Sequence, residues 1–142
     1  MREIKVRGYS KGYNKWIYGW GVVHIKLAEE LSKETGVSYV SQIYNDTGNY
    51  EVVTTSVGEF VFKLELLDGE TELFEGDVIE NIVGKKYVIE WDADYGTFFF
   101  VELDGKSEGT VAFEFIENCE HENCYLFGNI TENPELLEGV DN

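Results

Sequence analysis

Phe60-Val61-Phe62-Lys63-Leu64-Glu65-Leu66, followed by Asp68-Gly69 and then Thr71–Phe74, is the stretch that decides the fold. Phe60, Phe62, Leu64 and Leu66 alternate with Val61, Lys63 and Glu65, a period of two that puts one row of side chains on a core and the other in water. Asp-Gly between two such runs is the turn chemistry of a hairpin, because glycine reaches the left-handed backbone that tight turns require. A half-buried antiparallel hairpin is therefore the unit from which the rest is read.

The same signals recur on either side. A strand is expected at Glu3–Arg7, with a turn through Gly8 and Gly12. In Trp16–Ile25, the residues Trp16, Tyr18, Trp20 and Val22 point one way and Ile17, Val23 and Ile25 the other, so this strand is expected to be covered on both faces, with Gly19 and Gly21 leaving room for another backbone or a large ring. Leu27–Thr35 is the one helix candidate: Leu27, Ala28 and Leu31 share a face, and Gly36 stands where a C-terminal cap belongs. Val37–Tyr44 and Tyr50–Thr55 flank the turn-rich Asn45–Asn49. Asp77–Val83 and Lys86–Trp91 meet at Gly84-Lys85, Thr97–Leu103 and Thr110–Ile116 meet around Asp104-Gly105, and a short strand Tyr125–Thr131 ends before Asn133-Pro134. The expected fold is mainly β, an antiparallel coiled sheet or small barrel with at most one short helix, formed by a single domain over residues 1–142.

Composition agrees. The 142 residues can bury a core without disulfides, and 43% hydrophobic with 15% aromatic content excludes disorder. Two cysteines make no disulfide framework, no run is long and apolar enough to span a membrane, and the start has no apolar signal core, which leads to the expectation of a cytosolic protein with reduced thiols. The net charge of −17 is uneven: residues 1–26 hold six basic residues against Glu3 alone, a balance of +5, and residues 27–142 carry −22. So acidic a chain repels phosphates, and direct nucleic-acid binding is not expected. The basic stretch is read either as packing against the acidic remainder or a neighbouring subunit, or as a small anion-binding strip.

No phosphate-binding glycine loop, dinucleotide fingerprint or nucleophile elbow occurs, and His24 and His121 are the only histidines. His24, at the end of an apolar strand, is read as a partnered core or rim residue. Cys119-Glu120-His121-Glu122-Asn123-Cys124 offers three zinc-ligand types, but cysteines five apart around a histidine match no standard spacing and no fourth ligand is evident, so it is read as a polar loop. Asp92-Ala93-Asp94-Tyr95-Gly96 starts like a calcium loop, yet Leu103 stands where the bidentate glutamate belongs, and a hairpin turn is expected. No catalytic, cofactor-binding or metal-binding residue is assigned.

Several pieces, in order, resemble the YopX-like family of phage and prophage proteins. Met1–Gly8 with Trp16-Ile17-Tyr18-Gly19 is similar to its amino-terminal strand pair. Thr55–Phe60 resembles its "TVGQ(Y/F)" segment, Phe74-Glu75-Gly76-Asp77-Val78-Ile79 its "YEGDIV" segment, and Trp91-Asp92 with Gly96-Thr97-Phe98 its "W-D…G-F" hairpin. Gly128–Leu137 is close to its "GNIYENPELL" ending, with Thr131 for the usual Tyr. Val61–Glu70 departs from the family's linker, and Glu29–Gly36 has no counterpart. The resemblance implies a phage or prophage origin, the cytoplasm of a bacterial host, and coiled, bifurcated sheets; it carries over no active-site residue. Glu75-Gly76-Asp77 reads as a tight turn in which Gly76 supplies a positive φ and Asp77 accepts backbone N–H bonds.

The expected function is that of a non-enzymatic accessory protein, a module that binds a host or phage protein or self-assembles as a homo-oligomer, without membrane contact or cofactor. The alternatives are an acidic DNA mimic that occupies a host enzyme's nucleic-acid site, and an enzyme whose carboxylate site carries no motif.

Overall fold

The computed structural model describes residues 5–103 and 109–137. The chain forms two compact units, Met1–Phe60 and Val61–Asn142. Its fold is mainly antiparallel β, as the alternation and turns predict.

In the first unit, β1 (Val6–Ser10) and β2 (Lys15–Gly19) form a hairpin. Then β3 (Gly21–Lys26), α1 (Glu29–Thr35), β4 (Tyr39–Asn45) and β5 (Gly48–Val52) follow, with β3, β4 and β5 forming a three-stranded sheet in that order. A 3-10 turn, Thr54–Ser56, leads into β6 (Gly58–Leu66), whose Gly58 and Glu59 pair with Arg7 and Val6. Val6 and Ile17 of the hairpin pack on Ile43 and Val52 of β4 and β5, with Val22, Tyr50 and Val57 at the margin.

Three readings change here. The first strand begins at Val6 and runs through Gly8 rather than turning there; residues 1–4 lie outside the described residues. Gly8 is instead a packing position, since a Cβ on it would lie 2.7 Å from Val52 Cγ2. Trp16–Ile25 is not one strand but two, broken at Trp20: β2 pairs with β1, and β3 pairs with β4. The crossing is close, because a Cβ on Gly19 would run into the Tyr44 carbonyl oxygen, whereas Gly21 faces the Tyr44 ring. Nor is the stretch covered on both faces. The hairpin packs over β4 and β5, and Val23–Lys26 of β3 are exposed. The helix is present, and Gly36 closes it in the left-handed region (φ 74°), donating its N–H to Ser32 O at 2.9 Å, but no residue of α1 is buried.

In the second unit, β6 follows the expected alternation from Phe62 onward, Lys63 and Glu65 exposed and Leu66 buried, but Val61, expected on the water-facing row, is buried in the core; the strand pairs with β7 (Gly69–Phe74). Then come β8 (Asp77–Asn81), β9 (Lys86–Asp92), β10 (Thr97–Glu102), β11 (Thr110–Val111), α2 (Ala112–Glu117) and β12 (Cys124–Asn129), giving a sheet ordered β11-β10-β9-β8-β12. The expected strand Thr110–Ile116 is two strand residues followed by the short helix α2. Ala112 and Phe115, three apart, are its buried residues, a helical spacing that a run of six residues does not separate from strand alternation. The expected turn at Asp104-Gly105 lies outside the described residues. Phe115 stacks on Phe100 at 4.3 Å between ring centroids, in a core with Leu66, Leu73, Ile79, Ile89, Phe98 and Cys124.

Candidate functional site

The exposed chemistry of the first unit follows from the register of its three-stranded sheet. Val22 stands opposite Ile43, His24 opposite Ser41, and Lys26 opposite Tyr39, so these six share one face. The hairpin covers the Val22–Ile43 end of that face. One row further along, the pairing becomes polar: His24 Nδ1 lies 2.6 Å from Ser41 Oγ, which lies 2.8 Å from Thr54 Oγ1. Ser41 is fully buried, while His24 and Thr54 are exposed. The histidine read as a partnered rim residue therefore has its partner in a buried hydroxyl. That hydroxyl cannot reach a substrate, so the row is a satisfied polar ladder across the sheet rather than a nucleophile and its base.

Beyond this row a cavity of about 540 Å³ opens between the β1–β2 turn, the segment entering β4 and the segment leaving β5. Tyr13, Val37, Tyr39, Val40 and Val53 supply apolar lining; Ser10, Thr54, Thr55, Lys11 and Glu51 supply polar groups. Ser10 Oγ already accepts the Tyr13 N–H at 3.1 Å. Nothing local in the sequence marks Ser41, Thr54 or this cavity, since register alone assembles them.

The opposite face of the sheet is mixed, carrying Val23, Ile25, Val40 and Tyr44 together with Gln42, Asn49 and Glu51. Val23 stands opposite Gln42, Ile25 opposite Val40. Val23 is 37% exposed, Ile25 43% and Trp20 59%, with Trp20 stacked on Tyr44 at 6.1 Å between centroids. The basic residues nearby lean on rings of their own unit: Arg7 lies 4.4 Å over Trp16, Lys5 5.7 Å over Phe60, and Lys15 5.9 Å over Tyr13.

In the second unit the Cys119–Cys124 segment does not assemble. Cys119 is exposed with φ 58°, whereas Cys124 is buried in the core and donates its S–H to Glu120 O at 3.4 Å. Burial, and secondarily the Glu120 carboxylate, pushes the Cys124 thiol up to about 11, so it stays a thiol where a metal needs a thiolate. Among the described residues no group of three His, Cys, Asp or Glu side chains is placed to hold a metal ion. Asp92 uses its side chain locally, Oδ1 accepting the N–H groups of Asp94 (2.9 Å) and Tyr95 (3.1 Å) as the hairpin turns. Phe98 then pairs with Trp91, their rings 5.0 Å apart edge to face. Among the described residues no helix is long and apolar enough to cross a membrane.

A family model described as "YopX protein" matches residues 5–138, nearly the full length, and the chain belongs to this family. No curated protein matches the chain.

Proposed function

We propose that this YopX-family chain is a non-enzymatic accessory protein of a phage or prophage, acting in the host cytoplasm by binding a host or phage protein through its first unit. The observation that carries the reading is the exposed apolar surface at β3: Val23 and Ile25 stand in solvent on one row of the strand, and Trp20, just before it, is exposed and stacked on Tyr44 of the same sheet. Leaving a large apolar side chain exposed forgoes about 1.5–3 kcal/mol, and aromatic and aliphatic groups so grouped are what interface cores contain. Charge supports the division of roles. Residues 1–60 hold seven basic and seven acidic residues and are net neutral; residues 61–142 hold four basic against 21 acidic and carry the whole −17. A neutral unit associates without long-range repulsion, while the acidic unit keeps the protein dissolved.

The test is affinity capture from host lysate on immobilised protein, run beside the Trp20→Ser, Val23→Ser, Ile25→Ser variant. One protein enriched by the wild type and lost by a variant with an unchanged melt is the expected result. Capture that ignores these three substitutions, or no capture at all, rejects the reading.

A further inference from the structure

We infer that β3 binds by strand addition, taking up an extended segment of the partner protein in which apolar and acidic residues alternate. The inference rests on the protein-binding reading above and specifies its chemistry. β3 is the outer strand of its sheet: all six residues pair with β4 from Gly21–Tyr44 to Lys26–Tyr39 without a bulge, and among the described residues no strand lies on its other side. Such an edge is a template for another chain unless it is short, bulged, interrupted by proline or studded with charge. Three of the other outer strands have those protections. β11 is two residues long, β12 is bulged between Leu126 and Gly128, and β7 carries exposed Glu70 and Glu72. β3 has only its terminal Lys26, on a run of Val22, Val23, His24 and Ile25, and contains no proline.

The character of the added strand follows from the two faces. Alternate side chains of a fourth strand would extend the apolar row of Val23, Ile25 and Val40, while the intervening ones would fall beside His24 and Lys26 on the other face. Carboxylates suit those positions, because Lys26 stands on that row and Lys11, from the β1–β2 turn, lines the cavity that adjoins it. Backbone pairing would supply affinity, and the two rows of side chains would supply selectivity.

The probe is a labelled, end-blocked alternating Val–Glu octapeptide titrated into the full chain, followed by fluorescence anisotropy and by amide hydrogen exchange. Saturable binding that protects amides within Gly21–Lys26 is expected, with an alternating Val–Lys octapeptide at least tenfold weaker. Ile25→Lys and Lys26→Glu should each weaken the Val–Glu peptide about tenfold while leaving the melt unchanged. Equal binding of the two peptides, or protection that falls elsewhere, overturns the inference. So does protection of β3 that appears with rising protein concentration and no peptide, because the occupant is then a second copy. If capture from lysate depends on Trp20 but β3 amides exchange freely in the captured complex, strand addition fails and the protein-binding reading stands. If the peptide pairs with β3 but no protein is captured, strand addition stands and that reading fails.

Discussion

The carboxylate of Asp77 accepts the backbone N–H of Phe74 at 2.7 Å, inside the turn that joins β7 to β8. Asp77 is buried, and Gly76 between them holds φ at 92°. The turn is what Phe74-Glu75-Gly76-Asp77 promises as a sequence: glycine where the backbone must go left-handed, and an aspartate that returns to the main chain. Removing the carboxylate leaves a buried N–H without its charged acceptor. Asp77→Ala should therefore cost about 2–3 kcal/mol in urea denaturation, and Asp77→Asn, which keeps an acceptor oxygen, clearly less. Equal losses for the two would mean that a neutral amide oxygen does not replace the carboxylate, and no loss in either would mean that the hydrogen bond does not hold the turn.

Gly19 and Gly21, two residues apart at the break between β2 and β3, should respond in opposite ways to alanine. A Cβ on Gly19 meets the Tyr44 carbonyl oxygen and lies 2.6 Å from Ile43 Cγ2, so backbone has to move. A Cβ on Gly21 has nothing nearer than the Tyr44 ring at 3.7 Å, an ordinary contact. Gly19→Ala should cost about 2–3 kcal/mol, as overpacking does, and Gly21→Ala should be neutral or stabilising by up to about 1 kcal/mol. Thermal melts of the two variants, read side by side, decide it.

These glycines also mark how far the sequence could be read. The role of Gly19 was legible, because a glycine in an aromatic strand implies a close approach, whereas Gly21 makes only an ordinary contact. The break at Trp20 was not legible, because a strand apolar on both faces carries no mark of where it changes sheets. The hairpin over Phe60–Phe74 and the cap at Gly36 were legible for the opposite reason, since each is local and each has its own residue chemistry. α2 was missed because Ala112, Phe115 and Ile116 fit a helix in a run that also alternates. The His24–Ser41–Thr54 row and the adjoining cavity depend on register between strands, and none of the three residues carries a local signal of the others.

The two thiols should separate cleanly in reactivity. Cys119 is exposed and Cys124 is buried with its thiol pushed up to about 11. Titration with an aromatic disulfide reagent at pH 8 should find one thiol per native chain and two in denaturant. A thiol raised on folding is neutral in both states below its unfolded value near 9, so its contribution is intact there. Stability should then fall as pH rises from about 9 to about 11, by about 2–3 kcal/mol at most, and Cys124→Ala should remove that part of the pH dependence.

The closing strand should be indispensable to the second unit. β12 pairs with β8 from Cys124–Asn81 to Asn129–Asp77, Cys124 O accepts the Leu67 N–H at 2.8 Å, and Ile130 donates to Gly76 O at 3.0 Å. Asn129, buried, holds the N–H groups of Thr131 (3.1 Å) and Glu132 (2.8 Å) as the strand turns off. Ending the chain before Tyr125 exposes the β8 edge and opens the core at Cys124. Circular dichroism should show no cooperative melt for residues 61 onward in the truncated protein; a melt like that of the full chain would show the segment to be an appendage.

Assembly is the last expectation, and the charge distribution decides its form. Lys11 and Lys15 stand exposed at the β1–β2 turn of a net-neutral unit, while residues 61–142 carry −17. Of the three aromatics that could reinforce a contact between chains, Trp16 is engaged within its own unit by Arg7 and by Tyr9, whose ring lies 5.6 Å away, which leaves Tyr18 and Trp20 exposed. A contact of one chain's turn lysines with another's acidic unit is then mostly electrostatic and solvent-exposed. Its range shrinks with the Debye length, from about 10 Å at 0.1 M salt to about 3 Å at 1 M. Light scattering should accordingly find more than one chain at low salt and progressively fewer as salt rises. Lys11→Glu with Lys15→Glu should abolish the low-salt species, because it replaces two attractions with two repulsions. Ile25→Lys, placed on the β3 edge, should leave it intact, which separates this contact from strand addition. A single chain at every salt and protein concentration would rule the contact out.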